Sequence, residues 1–155
     1  NPSVAETVSY RTNSHTLMLP KGGRGFVDAK TGKPDVKRVL CALDPDRDPR
    51  HALSFLKQWL PALGGPEMEV LMLQVCDPED ATELALPQNG SLNWRQEIQA
   101  GEPVATIVSA ARRMKAELLV MTTHSPLRPM ARMRGSRTDK VLRDLRVPLL
   151  SIPIL

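Results

Sequence analysis

Apolar residues along this chain fall into two kinds of run. The first kind is continuous and rich in β-prone residues: Val36–Leu43 (VKRVLCAL), Met68–Val75 (MEVLMLQV), Leu118–Thr122 (LLVMT) and Val147–Ile152 (VPLLSI). Little polar alternation interrupts them, which is the pattern of parallel strands buried on both faces. Trp94–Ala100 reads as a weaker strand of the same kind. The second kind repeats every three or four positions. Leu53, Leu56, Leu60 and Leu63, broadened by Phe55 and Trp59, predict an amphipathic helix over Pro49–Leu63. Gly64-Gly65-Pro66 ends it. Val104, Ile107, Val108 and Ala111 predict another helix, opened by Gly101-Glu102-Pro103, with Pro103 in the first turn where its missing N–H is harmless. Arg112, Arg113 and Lys115 favour the C-terminal end of that helix. Gly135 and Ser136 open a last helix through Leu145. Ser136 and Asp139 have the spacing of a capping box, but Asp is too short to close it.

The order β-α-β-β-α-β-α-β predicts an α/β fold, an open parallel five-stranded sheet flanked by helices. Parallel strands two and three need a crossover. Only Asp77–Leu92 is available for it, and Pro87, Asn89 and Gly90 lie inside. The expectation is a shortened crossover, with a short helix near Asp80–Leu86 and an irregular remainder.

Composition narrows the function. The 155 residues are 41% hydrophobic and 25% charged, which fits one globular domain with an appendage. No apolar run approaches the ~20 residues that span a bilayer, and no secretory leader is visible, so a cytoplasmic location without membrane contact is expected. The chain opens on Asn1 rather than Met, as a processed or truncated chain would. The net charge of +4 mildly favours anionic partners. Aromatic residues make up only 3%, which argues against base-stacking nucleic-acid modules. Cys41 and Cys76 lie in or beside apolar runs and read as buried free thiols of a reducing compartment. Asp44, Asp46 and Asp48 alternate like metal ligands but lack the glycine and distant glutamate of a calcium loop, so they read as an acidic turn capping the first helix. His15, His51 and His124 have no metal-ligand spacing. The run Lys21–Gly25 lacks the strand–loop–helix setting of a phosphate loop. No nucleophile–base pair is visible, and the chain does not read as an enzyme.

Three segments, in this order, resemble a universal stress protein domain: VKRVLCALD (36–44), GEPVATIVSAARRMKAELLVMTTH (101–124) and GSRTDKVLRDLRVPLLSIP (135–153). The resemblance spans residues 36–153 and implies an adenine nucleotide alpha hydrolase-like fold with ATP as the cofactor. The family's phosphate pattern is Gly, two residues, Gly, nine residues, Gly, then Ser or Thr. Those places hold Thr122, Ser125, Gly135 and Ser136 here. The resemblance further implies that Asp44 meets the adenine and ribose end, that Val75 lies near the adenine, and that Met121 and Thr122 end the fourth strand. Ser125 and Gly135 would line the phosphates and Ser136 would donate to them. Gly135-Ser136 suits that role, because a helix N-terminus offers unpaired N–H groups and partial positive charge. Thr122 and Ser125 oppose it, because each puts a side chain where the family has glycine. Pro126 also restricts Ser125 to extended backbone. Arg128, Arg132, Arg134 and Arg137 form a basic loop that would face either phosphates or solvent.

The first twenty residues carry an internal repeat. Ser3–Pro20 (SVAETVSYRTNSHTLMLP) and Ser136–Pro153 (SRTDKVLRDLRVPLLSIP) have equal length. Both run serine, helix-like stretch, polar break, apolar strand, proline. Residues 1–20 therefore read as the last helix and strand of a preceding stress-protein unit, 21–35 as a Gly- and Lys-rich linker, and 36–155 as the domain. In the family, related units pair through their last strands. Thr16–Leu19 is thus expected beside Leu149–Ile152, within one chain or in a homodimer. Two functions fit: a stress-response protein binding adenine nucleotide, or a nucleotide-free interaction or regulatory domain pairing through its last strand. A nucleotide hydrolase using Asp44 as base is a third, weaker reading.

Overall fold

The computed structural model describes residues 12, 14–23, 25–88, 90, 92–124 and 145–154. Its strands are β1 (Thr16–Met18), β2 (Arg38–Leu43), β3 (Glu69–Val75), β4 (Asn93–Gln99), β5 (Leu118–His124) and β6 (Leu149–Ile154). Its helices are α1 (Arg50–Trp59), extended by a 3-10 turn at Leu60–Ala62, and α2 (Pro103–Met114). They form one sheet in the order β1-β6-β5-β2-β3-β4. The five strands expected from the apolar runs are all parallel. A sixth strand joins them: β1 lies antiparallel on β6, pairing Thr16 with Ser151, Leu17 with Leu150 and Met18 with Leu149. The pairing of the N-terminal segment with the last strand occurs here within one chain.

Side-chain alternation sorts the apolar runs into two cores. Val39, Cys41 and Leu43 of β2 face Leu53, Leu56 and Leu60 of the first helical segment. Leu40 and Ala42 face Ile107, Val108 and Ala111 of α2. Strands β2, β3, β5 and β6 each serve both cores, which is why their sequences are apolar without alternation. Each fully buried leucine contributes about 1.5–3 kcal/mol.

The helix ends depart from expectation at one place. Pro49 holds the N-cap of α1 and makes no side-chain cap bond. Asp48 instead accepts from the Arg50 backbone at 2.9 Å and pairs with its guanidinium at 2.6 Å. Asp44 accepts from the Asp46 N–H at 3.0 Å. The acidic turn therefore meets α1 from one residue before the cap, Asp48 taking the N–H of the helix's first residue, because the cap position itself carries proline. α2 is capped by Glu102, which accepts from the N–H groups of Val104 and Ala105. It ends at Lys115 in left-handed backbone (φ 55).

The crossover from β3 to β4 is short. A 3-10 turn at Pro78–Asp80 replaces the helix expected near Asp80–Leu86, and among the described residues no regular element follows before β4. Its backbone is satisfied by a strand side chain instead of by helical bonds. Gln96 accepts from the Leu84 N–H (3.0 Å) and donates to the Thr82 carbonyl (2.7 Å). Leu84 and Leu92 tuck into the α1-side core. The segment 21–35 is also tied down: Val27 bridges Pro34 around a turn in which Asp28 accepts from the Lys30 and Thr31 N–H groups, and Phe26 packs on the core. Cys41 is buried, and burial pushes its thiol up to about 12. Cys76 is only half-buried, contrary to the expectation for both thiols, because it follows β3 where the chain leaves the sheet.

Candidate functional site

Strands β2, β3 and β4 are laid down to one side, and β5 and β6 to the other, so the strand order reverses between β2 and β5. The two are parallel, Ala42 pairing with Met121, so their C-terminal ends share one edge. At such a switch point the following loops part in opposite directions and leave a crevice, the usual ligand position in open α/β sheets.

Two of the expected site residues meet there. The Asp44 N–H, just past β2, donates to the Thr122 hydroxyl of β5 at 2.9 Å. Thr122 is 9% exposed. The Asp44 carboxylate accepts from Asp46, and its carbonyl accepts from the Arg47 N–H at 3.2 Å. Asp44 thus shapes the loop that borders the crevice. Met121, beside Thr122, is buried in the α2-side core, where it supports the floor of the site. Val75 ends β3 on the same edge, one strand beyond β2. Ser125, Gly135 and Ser136 lie outside the described residues, as do Arg128, Arg132, Arg134, Arg137 and the expected last helix.

The sequence reading set Thr122 at a glycine place of the pattern the chain resembles. Its oxygen bridges the two strand ends that flank the crevice. A β-branched side chain here is therefore both a filler and a brace.

The sequence reading missed Gln74, the one buried polar side chain of the run MEVLMLQV and 0% exposed. It lies in register with Leu43 of β2 and Ile98 of β4. Its Oε1 accepts from Gln96 at 3.0 Å, while its Nε2 has no partner among the described residues. A glutamine set within the apolar stretch that follows Glu69 was the signal. On the same edge, burial first, and then the charges of Asp80 and Asp77, push the Cys76 thiol up. Among the described residues no three His, Cys, Asp or Glu side chains gather as a metal would require.

Comparison with known proteins bears directly on this arrangement. The universal stress protein family matches residues 80–153. That stretch contains β4, α2, β5 and β6, and so one wall of the crevice. Solved universal stress proteins share the fold. One from Archaeoglobus fulgidus DSM 4304 has 18% identity and a TM-score of 0.50, covering 76% of this chain and 44% of its own. A universal stress protein family protein from Arabidopsis thaliana, solved with AMP bound, has 15% identity and a TM-score of 0.50, covering 77% and 92%. The chain spans less than half the length of the Archaeoglobus stress protein. No curated protein sequence matches the chain. The stress-protein resemblance and the α/β fold expected from it both stand.

Proposed function

We propose that the chain is a stress-response binding protein that takes an adenine nucleotide at the crevice between β2 and β5 and acts by binding rather than by turnover. The observation that carries this reading is the meeting of Asp44 and Thr122 at the point where the strand order reverses. The AMP-bound Arabidopsis stress protein with the same fold supports it. In this reading Asp44 and Val75 border the adenosine end, and Met121 and Thr122 form the floor. Ser125, Gly135 and Ser136 take the phosphates, ATP being the expected ligand. The protein would work in a reducing, cytoplasmic setting, in keeping with its free cysteines.

A second reading has its own observation. The Thr122 hydroxyl is already engaged by the Asp44 N–H, and its side chain fills space a glycine would leave open. In that case the crevice is closed and the domain works through protein contacts alone.

Thermal melting with and without millimolar Mg-ATP, with AMP and GTP as controls, separates the two. A ligand that binds only the folded state stabilises it by about 2.7 kcal/mol at a hundredfold excess over its Kd. An ATP-selective rise that disappears in Gly135→Trp supports the first reading. No rise in the native chain, with a rise appearing in Thr122→Gly, supports the second. Multiple-turnover hydrolysis abolished by Asp44→Asn would overturn the proposal that the protein acts without turnover.

A further inference from the structure

The sheet has two edges: β1 forms one and β4, Asn93–Gln99, forms the other. Among the described residues no strand lies outside β4. Its ladder to β3 fixes what that outer side offers. The Asn93 N–H donates to the Met68 carbonyl, and the Gln99 carbonyl accepts from the Cys76 N–H. Parallel pairing runs between them in unbroken register. Asn93, Arg95, Glu97 and Gln99 therefore turn their backbone groups to β3, while Trp94, Gln96 and Ile98 turn theirs outward. Such an open row invites another strand unless charge or a cover forbids it. The charges here are arranged about a centre. Arg95 and Glu97 flank Gln96 and lie on the α2 face, where Glu97 pairs with Arg95 at 2.8 Å and with Arg113 of α2 at 2.7 Å. The side chain at the centre is already held, since Gln96 bonds the Thr82 carbonyl and the Leu84 N–H of the crossover.

We propose that the outer edge of β4 is an interface for a second copy of this chain, joined antiparallel about Gln96 with Arg95 of each copy opposite Glu97 of the other. Charge selects both the occupant and the register. An antiparallel two-fold centred on Arg95 sets arginine against arginine, and one centred on Glu97 sets glutamate against glutamate. Like charges directly opposite are destabilising, and opposite charges are stabilising. Centred on Gln96, every pair is complementary. Arg95 meets Glu97 twice, at non-hydrogen-bonded positions where facing side chains come closest. Trp94 meets Ile98 twice, on the crossover face, and covers a side chain that is 40% exposed in the single chain. The outward N–H and C=O groups of Trp94, Gln96 and Ile98 then all find partners. A strand that is its own complement in reverse makes an isologous contact, in which residue i meets j and j meets i.

The test uses the full chain, with mass read by sedimentation velocity and the Trp94, Gln96 and Ile98 amides read by hydrogen exchange. Across a dilution series the native chain should pass from dimer to monomer, with those amides protected only in the dimer. Arg95→Glu and Glu97→Arg each set like charges opposite one another. Two-fold symmetry changes two pairs at once, so each variant should raise the dimer Kd by about tenfold or more. An equal mixture of the two variants should recover the dimer, because every pair across it is again opposite in sign. The mixture keeps each variant's own contacts, so its recovery reads the pairs between copies alone. A native chain that stays monomeric at every concentration would overturn the proposal. So would a dimer whose three amides exchange freely, since its contact would lie on another surface, or a mixture no tighter than its components. Should either single variant not fold, the double variant Arg95→Glu/Glu97→Arg takes its place. It should pair with itself as the native chain does and refuse the native chain, and free mixing of the two would sink the idea. If no variant folds, amide exchange in the native chain decides alone.

Discussion

Thr122 shows how one atom decides between two roles. Its position at the end of a buried apolar strand was legible in the sequence, as was the bulk that a β-branched residue brings there. The acceptor role of its hydroxyl toward Asp44 was not, because that bond joins strands 78 positions apart in the chain. Thr122→Val should orphan the Asp44 N–H and lower stability by about 1 kcal/mol in urea denaturation, while Thr122→Ser should change little. The two thiols differ in the same way. Iodoacetamide at pH 8 should label Cys76 in the native state, slowly because burial first, and then the Asp80 and Asp77 charges, hold its thiolate back. Cys41, pushed up to about 12 by burial, should label only after unfolding. Mass spectrometry of the labelled peptides checks both. Asp48, held at about 2 chiefly by its hydrogen bonds from Arg50, lies on the surface, where such a pair adds little stability.

Element ends are governed by backbone geometry. Sequence spacing located both helices, since three- and four-residue apolar periodicity follows from the helix itself. Their ends followed from other causes. Pro49 displaced the expected acidic cap of α1, and the crossover, with Pro78 at its start and Pro87 further on, stayed irregular under the Gln96 amide. Lys115 closes α2 in left-handed backbone, where a side chain is strained. Lys115→Gly should therefore raise stability by about 0.5–1 kcal/mol, measurable in the same denaturation series. At Gly64 the opposite holds. A Cβ there would run into the Val36 carbonyl and lie 2.6 Å from the Met68 side chain. Gly64→Ala should lower stability by about 1–3 kcal/mol, as overpacking does.

For the whole molecule, the closure of the sheet by β1 makes the N-terminal segment part of the fold. Its hold should depend on pH through His15. Burial against its surroundings, and then the charge of His51, lower the His15 value below that of an ordinary histidine. The fold thus prefers neutral imidazole. The stabilisation is present above about pH 6.5, the ordinary histidine value, and is lost as pH falls through the lowered folded value. The melting midpoint of the native chain should drop between about pH 7 and 5. His15→Phe, which keeps a ring on Phe55 without the proton, should drop less. An equal drop in both would remove His15 from the account.

Apolar runs and their periodicity determined the five parallel strands, the two helices and the shortness of the crossover, because strand burial and helix amphipathicity are local demands written into every turn of chain. The repeat between Ser3–Pro20 and Ser136–Pro153 was equally legible, since it is a comparison of sequence with itself. Tertiary structure alone decided that β1 pairs in cis. It also decided that Thr122 braces the crevice through Asp44, and that Gln74 lies buried beside Gln96. Each of these depends on which distant strands become neighbours. That choice is made by the packing of both sheet faces together, and no single segment contains it.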